Sequence, residues 1–340
     1  MHYVINRDMK KCCFIIPYFG SLPNYFPLFL KSCGYNPDFN WLLFTDDETP
    51  YNYPDNFRKV SISFSELQSL VQSKFDFSIS LDRPYKLCDY KPAYGYIFEN
   101  YLNDYECWGH CDVDTIMGKI SDYVTEEMLR NYDKLFCLGH FIIYKNTQEN
   151  NRLFMSEYNG EYLYKKVFSN PEILVFDEEL LNRNNINQIF LQKGKKVFQE
   201  DYSLNFSIFY KNFLRVKFYG VENGYRNAYL VETPRASICV WAEGKICRYL
   251  KEGDDLICEE YMYMHLQQRR MHYPKGIINA KYIHIIPNAF RFLKKIPNNL
   301  FDLQKAKKST ICFHENRLKI NGYKKRLKRK INRILKLFRK

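Results

Sequence analysis

The sequence predicts an α/β fold with a mostly parallel central sheet flanked by helices. Two observations predict it. Short apolar segments alternate with helix-like segments through the first third of the chain, and several apolar segments end in polar or turn residues. Strands that alternate with helices favour a parallel sheet, because a parallel return needs a crossover connection. With 340 residues the chain is long enough for one large domain with its own core.

The elements follow in order along this first third. Apolar strands are predicted at 11–16, 41–44, 60–63 and 107–111, and helices at 24–33, 67–74 and 92–101. Gly34 ends the first helix, and Ser63 with Glu66 has the form of a capping box before the second. Polar or turn residues follow three strands, at 18–20, 46–47 and 112–114. The carboxyl ends of parallel strands share one edge, so a ligand site is expected there.

The most informative pattern is the pair Asp112 and Asp114, which follows the predicted strand over 107–111. Side chains of a strand alternate between its faces, so the two carboxylates are expected on the same side. Two hard oxygen donors suit Mg²⁺ or Mn²⁺, and such a site often also holds a substrate phosphate. A solvated turn is the alternative interpretation of so short a pattern.

The net charge of +13 is concentrated at the end of the chain. Residues 317–340 contain twelve Lys or Arg and no Asp or Glu, whereas the rest is nearly neutral. Apolar residues recur there at spacings of three and four, which predicts a basic amphipathic helix with the stripe Ile320, Tyr323, Leu327, Ile331, Ile334, Leu335 and Phe338. Such a helix suits an anionic membrane surface. Packing on the same protein and nucleic-acid binding are the alternatives.

We therefore expect a body over 1–290, a linker over 291–316 and a membrane-associating tail over 317–340. No apolar run reaches the roughly 20 residues that a membrane-spanning helix needs. The eleven cysteines include no Cys-x-x-Cys pair, and several lie in apolar runs, which is typical of a reducing compartment. The expected location is the cytoplasm, on the inner face of the cell membrane.

Six segments carry a family resemblance: 15–20, 43–47, 83–92, 108–114, 139–141 and, more thinly, 263–267. Together they resemble an uncharacterised family of bacterial glycosyltransferase-like proteins from capsule and surface-polysaccharide gene clusters. That family is similar to nucleotide-sugar transferases of the GT-A fold, in which an Asp-x-Asp motif holds a divalent cation on the sugar diphosphate. The resemblance implies a metal-dependent glycosyltransferase that moves a sugar, by default from a UDP-sugar, to a lipid-linked saccharide. A nucleotidyl- or phosphotransferase and a non-catalytic scaffold of the same fold are the alternatives.

The resemblance implies a Mn²⁺ or Mg²⁺ site made by Asp112, Asp114 and His265. Asp114 would bind the cation directly, and Asp112 would act through a water or hold the ribose. His265 would complete the ligand shell, with His284 as the alternative histidine. A histidine at either position is also typical of a core or surface residue.

The resemblance also implies which residues hold the donor nucleotide: Pro17, Tyr18 and Phe19 at the base and ribose, Asp46 or Asp47 as hydrogen-bond acceptors, Lys86 or Lys91 on the diphosphate, and Tyr85 or Tyr90 stacked on the base. The alternatives are structural. Residues 45–47 are also a typical cap, lysines are also typical of a solvated surface, and tyrosines also pack in cores.

For the acceptor, the resemblance implies a catalytic base at Asp177 or Glu178, before a helix predicted over 179–192. A carboxylate there would remove the proton from the acceptor hydroxyl in an inverting enzyme. Acidic residues at a helix N-terminus also simply complement the helix dipole, and Glu200 with Asp201 is a second candidate pair.

The acceptor pocket is expected near 139–140 and 159–160. Trp108 and Trp241 are candidates for stacking on sugar rings, although most aromatic residues pack in the core.

Overall fold

The computed structural model describes residues 9–179, 184–205, 212–218 and 229–308, together with 319, 320, 322–324, 326 and 327. The first part contains β1 (Lys10–Pro17), α1 (Phe26–Gly34), β2 (Phe39–Thr45), β3 (Phe57–Ser61), α2 (Phe64–Gln72), α3 (Leu87–Tyr90), α4 (Tyr94–Ile97), β4 (Tyr105–Cys111), β5 (Thr115–Met117), α5 (Glu126–Asn131), β6 (Lys134–Leu135), β7 (Phe141–Lys145), α6 (Gln148–Arg152) and α7 (Leu163–Phe168). The second part contains α8 (Ile186–Gln192), β8 (Val197–Phe198), β9 (Ser203–Asn205), β10 (Leu214–Phe218), β11 (Tyr229–Val231), β12 (Ser237–Ala242), β13 (Lys245–Glu252), β14 (Asp255–Tyr261), β15 (Tyr263–His265), β16 (Tyr282–Ile286), β17 (Ala289–Leu293) and α9 (Leu300–Lys308).

The central sheet has seven strands in the order β3-β2-β1-β4-β7-β6-β8. β1 is parallel to β2 and β4, β2 to β3, and β6 to β8, whereas β7 is antiparallel to both of its neighbours. The predicted mostly parallel α/β sheet is therefore confirmed. Side chains of β1 alternate between two apolar cores, with Cys13 and Ile15 on one face and Cys12, Phe14 and Ile16 on the other. Burial on both faces explains why this strand is a continuous apolar run.

Helices cover both faces of the central sheet. α2 and α8 pack into the core on one face, and α1 and α5 pack into the core on the other. The predicted capping box is confirmed: Glu66 N donates to Ser63 Oγ at 3.2 Å, and Ser63 N donates to Glu66 Oε2 at 2.8 Å. Because this box sets the start, α2 begins at Phe64, earlier than predicted.

The helix predicted over 92–101 is instead a series of short segments. α4 lies between single 3₁₀ turns at Lys91–Ala93 and Glu99–Tyr101. Pro92 has no backbone N–H to donate, which prevents a continuous helix through this point. A Cβ on Gly95 would lie 2.3 Å from the Trp108 indole, so the backbone of α4 packs directly on that ring.

Two smaller sheets complete the described fold. The second has the order β11-β10-β9-β15-β5 and the third the order β14-β13-β12-β16-β17. β12 and β13 form the predicted hairpin, and Glu243 and Gly244 at its turn have φ of 50° and 80°. Positive φ at both central residues is typical of the tight turn that matches strand twist.

The segment 291–316, predicted as a linker, contains the end of β17 and all of α9. Leu303 is buried and, with Leu300 and Ala306, packs on residues of β12. This spacing of three places the apolar residues on one helix face, which explains why the segment is ordered against the body.

Most of the predicted tail lies outside the described residues. The seven residues that the structure describes there are helical. Among the described helices, none is long and apolar enough to cross a bilayer.

Candidate metal centre

Asp112 and Asp114 lie in the turn between β4 and β5, at the carboxyl end of the parallel strands. The strand ends at Cys111, so alternation along a strand is the wrong reason for their proximity. The backbone holds the turn instead. Asp112 N donates to His140 O at 3.1 Å, and Thr115 Oγ1 donates to Asp112 O at 2.7 Å.

β15 brings His265 to the same turn. β5 and β15 pair antiparallel, with His265 opposite Thr115, the residue that follows Asp114. Leu266 N donates to Asp114 O at 2.7 Å and extends this pairing beyond the strand. As a result, His265 Nε2 lies 3.3 Å from Asp114 Oδ1 and 3.8 Å from Asp112 Oδ2.

The three side chains form a group whose ligand atoms lie within 4.8 Å of one another. With metal–oxygen bonds of about 2.1 Å, adjacent ligand atoms of an octahedral site are about 3 Å apart and opposite ones about 4 Å. The separations of 3.3 and 3.8 Å fall in that range. Carboxylates suit Mg²⁺ and Mn²⁺, and the imidazole favours Mn²⁺ of the two. The donor set therefore fits the cation that the Asp-x-Asp pattern predicts.

A chain of hydrogen bonds orients His265. His265 Nδ1–H donates to Asn205 Oδ1 at 3.1 Å, and Asn205 Nδ2 donates to His140 Nε2 at 2.6 Å. His140 Nδ1–H donates in turn to the hydroxyl oxygen of Tyr263 at 2.7 Å. This order of donors turns the Nε2 edge of the His265 ring towards the aspartates. Metal-bound histidines are typically held this way, with the second ring nitrogen donating to a polar partner.

Sequence reasoning missed Asn205 and Tyr263 and assigned His140 only to the acceptor pocket. Burial lowers the pKa of His140 well below its ordinary value, which keeps the ring neutral so that Nε2 can accept. A signal was present in the spacing of Tyr263 and His265, because residues two apart on a strand share a face.

Strained backbone supports Asp114. Gln267 and Gln268 have φ of 50° and 54°, which is uncommon for residues other than glycine. This conformation places the Gln268 N–H on Asp114 Oδ2, with an N–O distance of 2.5 Å. Burial alone would raise the pKa of Asp114, but His265 and this N–H hold it below its ordinary value. Asp114 is thus kept ionised, as a metal ligand must be.

Lys91 connects this centre to a second pair of carboxylates. Its ammonium donates to Asp112 Oδ1 at 2.8 Å and to Gly139 O at 2.7 Å, and it lies 3.2 Å from Asp177 Oδ2. The predicted contact of Lys91 is with a diphosphate, whereas its contacts in this structure are with carboxylates and a carbonyl. The sequence therefore placed Lys91 near the site without indicating its partners.

Asp177 and Glu178 lie in an irregular segment and not at the start of α8. α8 begins at Ile186, capped by Asn185, so the helix-dipole explanation of this pair is wrong. Burial raises the pKa of Asp177 to about 7 in spite of Lys91, and burial also raises the pKa of Glu178. A carboxylate that titrates near neutrality is typical of a general base.

Close packing brings this pair to Gly139. A Cβ on Gly139 would lie 2.5 Å from Asp177 Oδ2, so any side chain there would displace the carboxylate. Val175 has φ of 56° although it is β-branched. Such strain persists only where the surrounding structure enforces it, and it is common at functional sites.

Lys86 does not reach the site, so its predicted contact with a diphosphate is corrected. Its side chain is 1% exposed, and its ammonium donates to Asp89 Oδ2 at 2.7 Å. It also donates to two backbone carbonyls, those of Val167 and Glu172. Asp89 accepts from two backbone N–H groups, those of Leu174 and Phe176. The pair therefore anchors the segment that leads to Asp177.

A family model matches residues 14–294, which include every residue of the metal centre and the carboxylate pair. The chain belongs to DUF6625, a family of unknown function. No curated protein matches the sequence. The DUF6625 match begins within β1 and ends before α9, so it covers the three sheets except the first residues of β1.

In this DUF6625 chain, one of the residues predicted at the base and ribose lies close enough to the metal centre for the charge of Asp114 to affect it. Burial raises the pKa of Tyr18, and the charges of Asp114 and Asp47 raise it further. Its hydroxyl donates to Ser21 O at 3.3 Å. Pro17 ends β1 and is half-buried. Phe19 packs on Phe64 in the core, so its ring is not available to a nucleotide.

Asp46 and Asp47 join the loop after β1 to the loop after β2. Gly20 N donates to Asp46 Oδ1 at 2.8 Å, and Leu22 N donates to Asp47 Oδ2 at 3.1 Å. Thr49 N also donates to Asp47 Oδ1 at 2.8 Å in a local turn, and the next element, β3, begins only at Phe57. These contacts position the loop that carries Tyr18.

The aromatic candidates divide by exposure. Tyr85 is 62% exposed, and Gln268 Nε2 donates to its hydroxyl at 3.3 Å, so its ring stands beside the metal centre. Tyr90, Trp108 and Trp241 are fully buried in the core. Sugar stacking by the two tryptophans is therefore wrong, because neither ring reaches the surface.

The remaining candidate residues of the sequence analysis have structural roles. His284 is on β16 in the third sheet, outside the ligand group that the described residues form, and burial lowers its pKa to about 4. Asp201 Oδ1 accepts from Ser203 N at 3.0 Å and Ser203 Oγ at 2.6 Å, at the start of β9. Asn159 and Gly160 form a tight turn with φ of 51° and 81°.

Proposed function

We propose that this protein is a metal-dependent glycosyltransferase of GT-A type that uses a nucleotide-sugar donor. The observation that carries the proposal is the group of Asp112, Asp114 and His265, whose ligand atoms lie within 4.8 Å at the carboxyl end of a parallel sheet. Ligands of such sheets bind at that edge. The position of the Asp-x-Asp pattern, in a turn directly after a strand, also agrees with the family resemblance.

The two aspartates differ in a way that suits such a site. The Asp114 side chain is 11% exposed and the Asp112 side chain 33%. Asp114 and His265 would hold Mn²⁺ or Mg²⁺ from within, and Asp112 would face the open side, where a diphosphate arrives. The cation would act as a Lewis acid that neutralises the charge of the departing nucleoside diphosphate. Tyr18 and Tyr85 border this open side and are the residues that we assign to the donor.

The carboxylate pair supplies a base for the acceptor. Asp177 would take the proton of the acceptor hydroxyl, since its pKa of about 7 combines basicity with partial ionisation at neutral pH. Glu178 would share this role, and Lys91 would hold Asp177 in place through their 3.2 Å contact. An inverting reaction follows from this assignment.

Thermal stability tests the proposal directly. The purified chain is heated with a panel of nucleoside diphosphates and nucleotide sugars, each with Mn²⁺ or with a chelator. We expect one nucleotide to stabilise the protein only with Mn²⁺, by about 2.7 kcal/mol at about 100 times its dissociation constant.

The panel also separates the alternatives. Stabilisation by nucleoside triphosphates in preference to sugar nucleotides would favour a nucleotidyltransferase. A folded protein that responds to no nucleotide contradicts the proposal and favours the scaffold.

We propose further that the acceptor is lipid-linked and that the basic tail holds the enzyme on an anionic membrane surface. Ile320, Tyr323 and Leu327 are 53%, 70% and 60% exposed, so these residues of the predicted stripe do not pack on the described body. Their spacing of three and four places them on one helix face. An exposed apolar face among lysines and arginines suits the interface of an anionic bilayer.

Vesicle binding tests the tail. We expect the full chain to sediment with phosphatidylserine-containing vesicles, and we expect a triple change of Ile320, Tyr323 and Leu327 to Ser to weaken this at least about tenfold, since apolar insertion is lost while the charges remain. A matched control changes Tyr162 and Leu191 to Ser, which are exposed apolar residues elsewhere. Equal vesicle binding by the triple variant and the wild type contradicts the proposal.

A further inference from the structure

Lys91 is placed as a cation between two sets of carboxylates. Its side chain is 12% exposed, and its ammonium contacts Asp112 and Asp177, which belong to the metal centre and to the carboxylate pair. Asp112 is shared between two partners: Oδ1 accepts from Lys91 at 2.8 Å, and Oδ2 lies 3.8 Å from His265 Nε2. One oxygen of this carboxylate therefore faces the ammonium, and the other faces the ligand group.

We infer that Lys91 is the internal counter-cation of the metal centre and couples cation binding to the carboxylate pair; this inference rests on the proposed metal centre. The ammonium and a divalent cation act on the same carboxylate of Asp112, so each weakens the attraction of that carboxylate for the other. When a cation binds, the balance of charge moves Lys91 away from Asp112 and towards Asp177. Lys91 is thus a positioning residue. Its distance from the candidate base, Asp177, depends on whether the metal centre is occupied.

Coupling of this kind is reciprocal and has a definite sign. Removing the charge of Lys91 takes away the competitor of the cation, so cation affinity rises. Removing the charge of Asp177 leaves Asp112 as the one remaining carboxylate of the two that Lys91 contacts, so Lys91 holds Asp112 more strongly and cation affinity falls. In a variant without the Lys91 charge, removing the charge of Asp177 as well has little further effect on cation affinity.

The test is the dissociation constant for Mn²⁺, measured by calorimetry on the full chain without any substrate. We expect Lys91→Met to bind Mn²⁺ about tenfold more tightly and Asp177→Asn to bind it at least about threefold more weakly. In the double variant, the effect of Asp177→Asn shrinks towards none, which a double-mutant cycle quantifies. Lys119→Met is the matched control, because Lys119 forms a solvent-exposed pair with Asp122 and carries the same charge change.

Removing one partner of a largely buried ion pair destabilises a fold. Lys91→Gln, which removes the charge but keeps a polar N–H donor, is therefore measured beside Lys91→Met, and thermal unfolding confirms that each variant is folded. Mn²⁺ affinity that is unchanged or weaker in both folded Lys91 variants overturns the inference while leaving the metal centre in place. A wild-type chain that binds no Mn²⁺, or binds it equally well as Asp114→Asn, instead overturns the proposed centre itself.

Discussion

Changing Asp114 to Asn lowers the affinity for Mn²⁺ by at least about 100-fold and abolishes the Mn²⁺-dependent stabilisation by a nucleotide. Asp114 is the buried carboxylate of the group, with Oδ1 3.3 Å from His265 Nε2. The Gln268 N–H donates to its Oδ2 and stabilises the negative charge. An amide oxygen carries no net charge and binds a hard cation much more weakly than a carboxylate. Because Asn has the shape of Asp and still accepts from Gln268, the fold is expected to remain intact.

Calorimetry with Mn²⁺ and nucleotide-dependent unfolding measure this effect. Asp122→Asn is the matched control, since this aspartate is on the surface close by along the chain, and we expect it to bind Mn²⁺ as the wild type does. Asp112→Asn is expected to be milder than Asp114→Asn, because Asp112 is more exposed and already shares its charge with Lys91. Wild-type affinity in a folded Asp114→Asn variant would contradict the assignment of the centre.

Changing Lys86 to Met lowers the free energy of unfolding by about 3–5 kcal/mol. The reason is burial: the two side chains of the Lys86–Asp89 pair are 1% and 0% exposed, and the change leaves the Asp89 carboxylate without its cation. Two backbone carbonyls also lose a donor. Because the pair anchors the segment before Asp177, the local structure of the carboxylate pair is expected to loosen as well.

Urea denaturation measures the loss, with Lys166→Met as the control. Lys166 forms an exposed pair with Glu161 at 2.9 Å, and such a pair contributes about 0–1 kcal/mol. The double change of Lys86 to Met and Asp89 to Leu is not expected to restore stability, since Leu174 N and Phe176 N still lose their acceptor. Equal unfolding free energies for Lys86→Met and Lys166→Met would show that the buried pair does not anchor this segment.

Local patterns predicted the fold where neighbouring residues decide the outcome. The capping box at Ser63 and Glu66 acts over three residues, and the turn at Glu243 and Gly244 depends on backbone conformation at those two positions. The apolar run of β1 predicted a buried parallel strand because both of its faces need apolar side chains. The helix predicted over 179–192 begins later, at Ile186, because the Asn185 side chain accepts from the N–H groups of Asn187 and Gln188 and caps the helix there.

The ligand residues of the candidate metal centre were predicted, but the contacts that bring them together and orient them were not. Residue type and spacing indicated Asp112 and Asp114, and the family resemblance indicated His265, but the reason for their meeting is the antiparallel pairing of β5 with β15. Asn205, which orients His265, comes from β9 and carries no motif of its own. Contacts between segments far apart along the chain leave no local pattern, so sequence reasoning could not identify them.

The sequence by itself determined the class of fold, the acidic turn after β4 and the basic end of the chain, because each is a property of adjacent residues. The tertiary structure decided what the charged residues do. Lys86 and Lys91 belong to one short segment and have the same chemistry, yet one is buried on Asp89 and the other bridges Asp112 and Asp177. An ammonium takes the partners that packing brings within about 3 Å and shields from water, and only the folded chain sets those distances.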